Sequence, residues 1–157
     1  MSIKKTINWS LVAICMAVIF YLSSQPANVS SQASRQVTEV IVETVQKVKP
    51  DMTEVDIRDL NSFVRKNAHF IIYLLLGFLT INALYEYNTE LKKKVILAFA
   101  ICVLYAISDE IHQLFVPGRG GQVTDVIIDS VGSVVGIGLY VGIKTVNLCG
   151  LKNTPEL

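Results

Sequence analysis

Polar residues suited to acid–base chemistry and anion binding recur at helical spacing within two apolar segments of the chain. Lys66, His69 and Tyr73 follow at i, i+3 and i+7, which places their side chains on one face of an α-helix. Asp125 and Asp129 lie one helical turn apart in the other segment. Imidazole and carboxylate groups transfer protons in enzymes, and a lysine ammonium holds anions. The spacing therefore predicts two polar helix faces that contribute to one site.

A third apolar segment carries two adjacent carboxylates, Asp109 and Glu110. Gln113 follows Asp109 by one helical turn, whereas Glu110 points about 100° away around the helix axis. We therefore expect one carboxylate to serve the site and the other to contact a neighbouring helix. His69, Asp109 and Glu110 are the candidate proton-transfer groups, and the candidate ligand-binding groups are Lys66, Tyr73, Gln113, Arg119, Asp125 and Asp129.

A glycine-rich turn at residues 115–121 contains a single arginine, Arg119. Its glycines make the backbone adjustable, and a guanidinium binds phosphate or carboxylate through two parallel hydrogen bonds. The alternative is an ion pair of Arg119 with Asp109 or Asp125. The turn lacks the Lys-Ser/Thr that ends a phosphate-binding loop, so it is a weak indication of nucleotide binding.

Four apolar segments are candidates to cross a lipid bilayer, which takes about 20 residues. They cover residues 7–22, 68–85, 95–116 and 123–143. With 52% hydrophobic and 17% charged residues, the chain is too apolar for an ordinary soluble domain. We predict an all-α, polytopic membrane protein, a four-helix transmembrane bundle forming a single domain over residues 1–157. The first segment follows two lysines as a signal peptide does, but without a small-residue cleavage site it is interpreted as an anchor.

The distribution of lysines predicts the orientation of these spans. Seven of them fall on one side: Lys4, Lys5, Lys92, Lys93, Lys94, Lys144 and Lys152. Because basic residues favour the cytoplasmic side of a membrane, both termini are expected in the cytoplasm. Counted from Lys94, Asp109 and Glu110 lie roughly 21–23 Å along the third segment, inside a hydrocarbon core of about 30 Å. Charges at that depth are costly, so the polar groups should share a partly wet, extracytoplasmic cavity.

The loop of residues 23–67, between the first and second spans, is predicted to be helical and extracytoplasmic. Apolar residues recur at helical spacing over 37–48, with Ser30, Ser31 and Ser34 as capping candidates. Pro50 ends this pattern. A second pattern over residues 57–64 then runs without a breaker into the second span.

Several kinds of site are not favoured by the sequence. A net charge of +1 provides no field that gathers nucleic acid. The three cysteines lie in apolar segments or near the C-terminal end, which excludes a disulfide framework. The carboxylates could hold a divalent cation, but no ligand spacing such as His-x-x-x-His supports one. Neither a metal nor a cofactor is therefore predicted.

The motifs resemble those of the VanZ-like family along nearly the whole chain. They are Ser23-Ser24-Gln25-Pro26, Lys66-Asn67-Ala68-His69-Phe70, Ser108-Asp109-Glu110 with Gln113 and Phe115, Pro117-Gly118-Arg119, and then Asp125, Asp129, Gly132 and Gly136. The resemblance implies a bacterial membrane protein of the cell envelope. Some members of the family are linked to glycopeptide resistance of the teicoplanin type, and no settled reaction comes with the resemblance.

Three functions fit these residues. The first is an envelope protein whose cavity binds or modifies an anionic lipid headgroup or a cell-wall precursor, with Arg119 and Lys66 on the anion. The second is a non-catalytic accessory protein in which the same groups hold the bundle together. A small transporter is the third, although polar groups confined to one side leave no evident path across the membrane. The sequence thus leaves open whether the chain is an enzyme.

Overall fold

The structure is a computed structural model, and it describes residues 2–27, 29, 30, 32 and 54–152. Four long helices follow one another: α1 Ile3–Ser23, α2 Glu54–Tyr85, α3 Leu91–Gln113 and α4 Val123–Lys152. Each contains a stretch long and apolar enough to cross a membrane. The predicted all-α, four-helix transmembrane bundle is confirmed.

The helix bounds differ from the apolar segments at several ends. α2 begins at Glu54, because no proline or glycine interrupts the chain before Gly77. Residues 54–67 therefore belong to α2 and not to the loop, as the second helical pattern predicted. α3 ends at Gln113, three residues before the predicted end of the third segment. A non-helical turn that contains Pro117 and Gly118 follows it, and the φ of Gly118 is +77°. The surface helix predicted over residues 37–48 lies outside the described residues.

The core of the bundle forms around α2, which packs most extensively on α4 and also contacts α1 and α3. Two clusters of buried side chains fill it, one of Val12, Cys15, Ile19, Tyr73, Leu76, Ala83, Cys102 and Ala106, the other of Ile81, Leu84, Ala98, Ile137 and Tyr140. Large apolar side chains such as Ile71, Leu104 and Ile127 point outward and are exposed. An apolar exterior around a small core is what lipid as the surrounding solvent permits.

Three glycines let the backbones of α2 and α4 approach each other closely. A Cβ at Gly132 would lie 2.5 Å from the carbonyl oxygen of Phe70, and one at Gly77 would meet the carbonyl of Ser133. A Cβ at Gly136 would meet the carbonyl of Leu74. The small size of Gly132 and Gly136 thus allows the backbone of α2 to lie directly against α4. This contact also sets the distance between the polar residues of α2 and those of α4, which lie one or two turns before it on both helices.

The two ends of the bundle differ in their chemistry. At the end formed by the start of α1 and the end of α2, lysines lie over tyrosine rings, with ammonium-to-centroid distances of 4.4–5.7 Å: Lys5 over Tyr87, Lys94 over Tyr85 and Lys144 over Tyr140. The opposite end holds the carboxylates, His69 and Arg119. Basic and aromatic residues at one end are typical of a membrane–water boundary.

Candidate functional site

A polar cavity of about 130 Å³ opens between α2, the turn after α3 and the start of α4. Its lining includes six of the nine predicted site residues, Lys66, His69, Gln113, Arg119, Asp125 and Asp129. Tyr73, Asp109 and Glu110 do not line it. The two polar helix faces predicted from the sequence therefore line one cavity, and the last turn of the third helix lines it too. We call this space the polar cavity.

Asp109 joins α1 to α3 in a buried hydrogen-bond network. The Ser23 hydroxyl donates to Asp109 Oδ2 over 2.8 Å, and the Gln113 amide donates to the same oxygen over 3.2 Å. The Gln113 amide also reaches the Ser23 hydroxyl oxygen at 3.4 Å. All three side chains are buried. One oxygen of Asp109 is thus committed to the packing of two helices, while Oδ1 is buried without a hydrogen-bond partner among the described residues.

A second group of side chains meets at the base of the polar cavity, from three different helices. One ligand atom each of His69, Asp109 and Asp129 lies within 4.8 Å of the others. Asp129 is 1% exposed, and its Oδ1 has no hydrogen-bond partner in the described part of the chain. The Tyr73 hydroxyl, fully buried, has none there either. Buried polar atoms without a hydrogen-bond partner are costly and therefore uncommon. Three of them in one group are typical of a site that holds a ligand.

Glu110 faces away from these groups, as the 100° offset from Asp109 predicted. Its Oε2 accepts a 2.7 Å hydrogen bond from the backbone N–H of Gln122. This contact holds the start of α4 against the last turn of α3. The Glu110 carboxylate thus makes the helix contact that we expected of one of the two acids, and its candidacy for proton transfer stays a prediction.

Lys66 and Arg119 have different partners. The Lys66 ammonium forms a 3.0 Å ion pair with Asp125. The Arg119 Nη2 donates to the Leu22 carbonyl oxygen over 3.3 Å, and its Nε is buried without a hydrogen-bond partner among the residues that the structure describes. Within the described residues, Arg119 has no ion pair with Asp109 or Asp125. Burial, and then the nearby charge of Arg65, lowers the pKa of Arg119.

An apolar groove of about 270 Å³ adjoins the polar cavity. Ile19, Leu22, Val64, Ala68 and Ile72 provide much of its wall. Three residues line both spaces: Arg65, His69 and Arg119. Polar and apolar binding surfaces therefore meet at the two arginines and the histidine. We call this second space the apolar groove.

The model of the VanZ/LLP1 family matches residues 8–146. The chain belongs to this family. The match includes every predicted site residue and confirms the resemblance drawn from the motifs. No curated protein and no solved structure matches the chain significantly. The VanZ/LLP1 assignment therefore identifies the kind of membrane protein.

Sequence reasoning missed three residues of this VanZ/LLP1 site. Arg65 precedes His69 by four residues and so shares its helix face, a signal that the spacing contained. Ser23 and Gln122 contribute through contacts across 86 and 12 residues of sequence, which no local pattern reveals. His112 stacks on Phe20, with the two ring centroids 4.4 Å apart.

Proposed function

We propose that this VanZ/LLP1-family protein binds the anionic headgroup of a membrane lipid. The headgroup occupies the polar cavity, and an acyl chain extends along the apolar groove. The observation that carries the proposal is the position of Arg119 on the boundary between these two spaces. A lipid has the same division, because a charged headgroup is joined to apolar chains. His69 is the proton-transfer candidate that touches both spaces.

The charges at the boundary between the polar cavity and the apolar groove support an anion as the ligand. Asp125 neutralises Lys66 through its 3.0 Å ion pair. Arg65 and Arg119 lie near enough for their charges to oppose each other, and Arg119 has no carboxylate partner among the described residues. A phosphate between the guanidinium groups would remove that repulsion and accept hydrogen bonds from both.

The orientation belongs to this proposal as well. Lysines from α1, α3 and α4 gather at the end opposite the polar cavity. Because basic residues favour the cytoplasmic side, that end and both termini face the cytoplasm, and the polar cavity opens outward in the cell membrane. A membrane-anchored cell-wall precursor with a phosphate-containing headgroup would be one such ligand. Such a ligand would fit the link of some family members to glycopeptide resistance of the teicoplanin type.

Replacing Arg119 by glutamine tests the headgroup site. Arg119→Gln should weaken binding of short-chain phosphatidic acid about tenfold to a hundredfold, the loss expected for charged hydrogen bonds of about 1.5–3 kcal/mol. The thermal unfolding temperature should stay nearly unchanged, since the replaced guanidinium bonds only the Leu22 carbonyl within the described residues. Lipid binding to the purified protein is measured by native mass spectrometry in detergent.

Two comparisons make this test specific. Lys92→Gln removes one positive charge from an exposed residue at the other end of the bundle and should leave phosphatidic acid binding unchanged. Short-chain phosphatidylcholine and inorganic phosphate should both bind more weakly than phosphatidic acid, because the first lacks net charge and the second lacks acyl chains. Unchanged phosphatidic acid binding by Arg119→Gln would contradict the proposal. Loss of folded Arg119→Gln protein would instead assign Arg119 to the scaffold.

A further inference from the structure

The group formed by His69, Asp109 and Asp129 contains two buried carboxylates without a neutralising cation. Asp109 and Asp129 are 3% and 1% exposed. Neither forms an ion pair with a lysine, an arginine or a histidine in the part of the chain that the structure describes. Each has one buried oxygen without a hydrogen-bond partner there. Ionised carboxylates taken out of water are strongly destabilised unless a positive charge accompanies them.

The spacing within the group fits an ion better than it fits direct hydrogen bonds. Within the described residues, no hydrogen bond or ion pair of 4.0 Å or less joins His69 to either carboxylate. The ligand atoms nevertheless lie within 4.8 Å of one another. Ligands bound at about 2.0–2.2 Å are separated by about 2.8–4.4 Å around a metal, depending on the angle between the bonds. Small side-chain rotations would therefore close the group around an ion.

We propose that His69, Asp109 and Asp129 bind a divalent transition-metal cation at the base of the polar cavity. One imidazole nitrogen and two carboxylate oxygens suit Zn²⁺ or Mn²⁺, whereas Ca²⁺ and Mg²⁺ prefer sites built from oxygen alone. His69 and Asp129 also line the polar cavity, which leaves room for water or a ligand oxygen in a further coordination position. The Ser23 and Gln113 hydrogen bonds to Asp109 Oδ2 orient that carboxylate, as the outer partners of metal ligands commonly do.

The metal site adjoins the proposed headgroup site, since His69 and Asp129 line the polar cavity, but none of its three ligands is Arg119 or Lys66. An ion there would convert three candidate proton-transfer or ligand-binding groups into a single coordination centre. Sequence spacing did not reveal the site, since the ligands come from α2, α3 and α4 and are separated by 40 and 20 residues along the chain. A short spacing such as His-x-x-x-His reveals only ligands that lie on one helix.

Metal binding by the lipid-free protein tests this inference. The protein is purified with a tag free of histidine, treated with a chelator, and titrated with Zn²⁺, Mn²⁺, Mg²⁺ and Ca²⁺ by calorimetry, with bound metal counted by mass spectrometry. We expect a single Zn²⁺ or Mn²⁺ per chain, bound more tightly than Mg²⁺ and Ca²⁺. No retained transition metal, or a preference for Ca²⁺ or Mg²⁺, would overturn the proposal.

Variants locate the ion. Asp129→Asn and His69→Gln should each lower Zn²⁺ affinity by at least about 10–100-fold, the loss that removing even an outer partner of a metal ligand causes. Asp125→Asn is the matched control, because Asp125 lines the same cavity but pairs with Lys66, and it should bind Zn²⁺ like the unaltered protein. Equal loss in all three variants, or no loss in the first two, would overturn the assignment.

A spectrum of the unaltered protein keeps the test independent of how the variants fold. X-ray absorption at the zinc edge should report one imidazole and a nitrogen–oxygen shell near about 2.0–2.1 Å without sulfur. A sulfur ligand would assign the ion to a cysteine and reject the His69 site. Because no lipid is present, this result does not depend on headgroup binding, and Arg119→Gln should keep the same spectrum.

Discussion

Gly136→Ala is expected to disrupt the interface of α2 and α4 and to lower the free energy of unfolding by about 1–3 kcal/mol or more, as overpacking does. The added methyl group would meet the backbone carbonyl of Leu74, with the Phe78 nitrogen 3.0 Å away. Backbone atoms of a packed helix cannot rotate aside as a flexible side chain can. Fluorescence-detected size exclusion after heating should therefore record a lower unfolding temperature and less monodisperse protein.

Gly138→Ala is the matched control for this effect. It lies on the same helix, and a Cβ there meets nothing within 4 Å. Alanine favours a helix over glycine by about 1 kcal/mol, so Gly138→Ala should be as stable as the unaltered protein or slightly more so. Equal unfolding temperatures for the two variants would mean that α2 and α4 do not pack through Gly136.

Asp109→Leu is the second change with a large expected effect. It removes the oxygen that accepts hydrogen bonds from Ser23 and Gln113, and both donors are buried. A buried polar group left without its partner costs about 1–3 kcal/mol, so the free energy of unfolding should fall by about 2–6 kcal/mol. In a small bundle such a loss should appear as a low yield of folded protein and as a lower unfolding temperature in a thermal scan.

Asp109→Asn separates this structural role of the side chain from its charge. The asparagine carbonyl can accept both hydrogen bonds, so the unfolding temperature should stay close to that of the unaltered protein. Zn²⁺ binding should still be lost, because a neutral amide replaces a carboxylate ligand. If Asp109→Asn unfolds as readily as Asp109→Leu, the negative charge itself is needed for the fold.

The elements of the fold were predictable because lipid imposes long apolar helices, and helical spacing then groups side chains by face. Lys66, His69 and Tyr73 were assigned to one face of the second span, and Lys66 and His69 do line the same cavity. Local pattern was sufficient wherever the relevant neighbours lie on the same helix.

Side-chain contacts between different helices could not be predicted from the spacing of residues along one helix. Arg119 was a candidate for an ion pair with Asp109 or Asp125, and only the rotation of the packed helices gives Asp125 to Lys66. The Ser23 hydroxyl reaches Asp109 across the bundle, which depends on the register of α1 against α3. The predicted end of the third span was also late, because the turn at Pro117 and Gly118 ends the helix although the residues before it are apolar.

The side of the membrane on which the polar cavity opens is tested most directly by cysteine labelling in intact cells. Gly120→Cys is placed on a background in which Cys15, Cys102 and Cys149 are replaced by alanine. Gly120 lines the polar cavity, and a Cβ there meets nothing within 4 Å, so the new thiol should be tolerated and reachable. The control is Glu90→Cys, an exposed residue in the turn between α2 and α3. A membrane-impermeant maleimide should label Gly120→Cys from outside and Glu90→Cys only after the cells are permeabilised. The reverse pattern, with Gly120→Cys labelled only after permeabilisation, would contradict an outward-opening site.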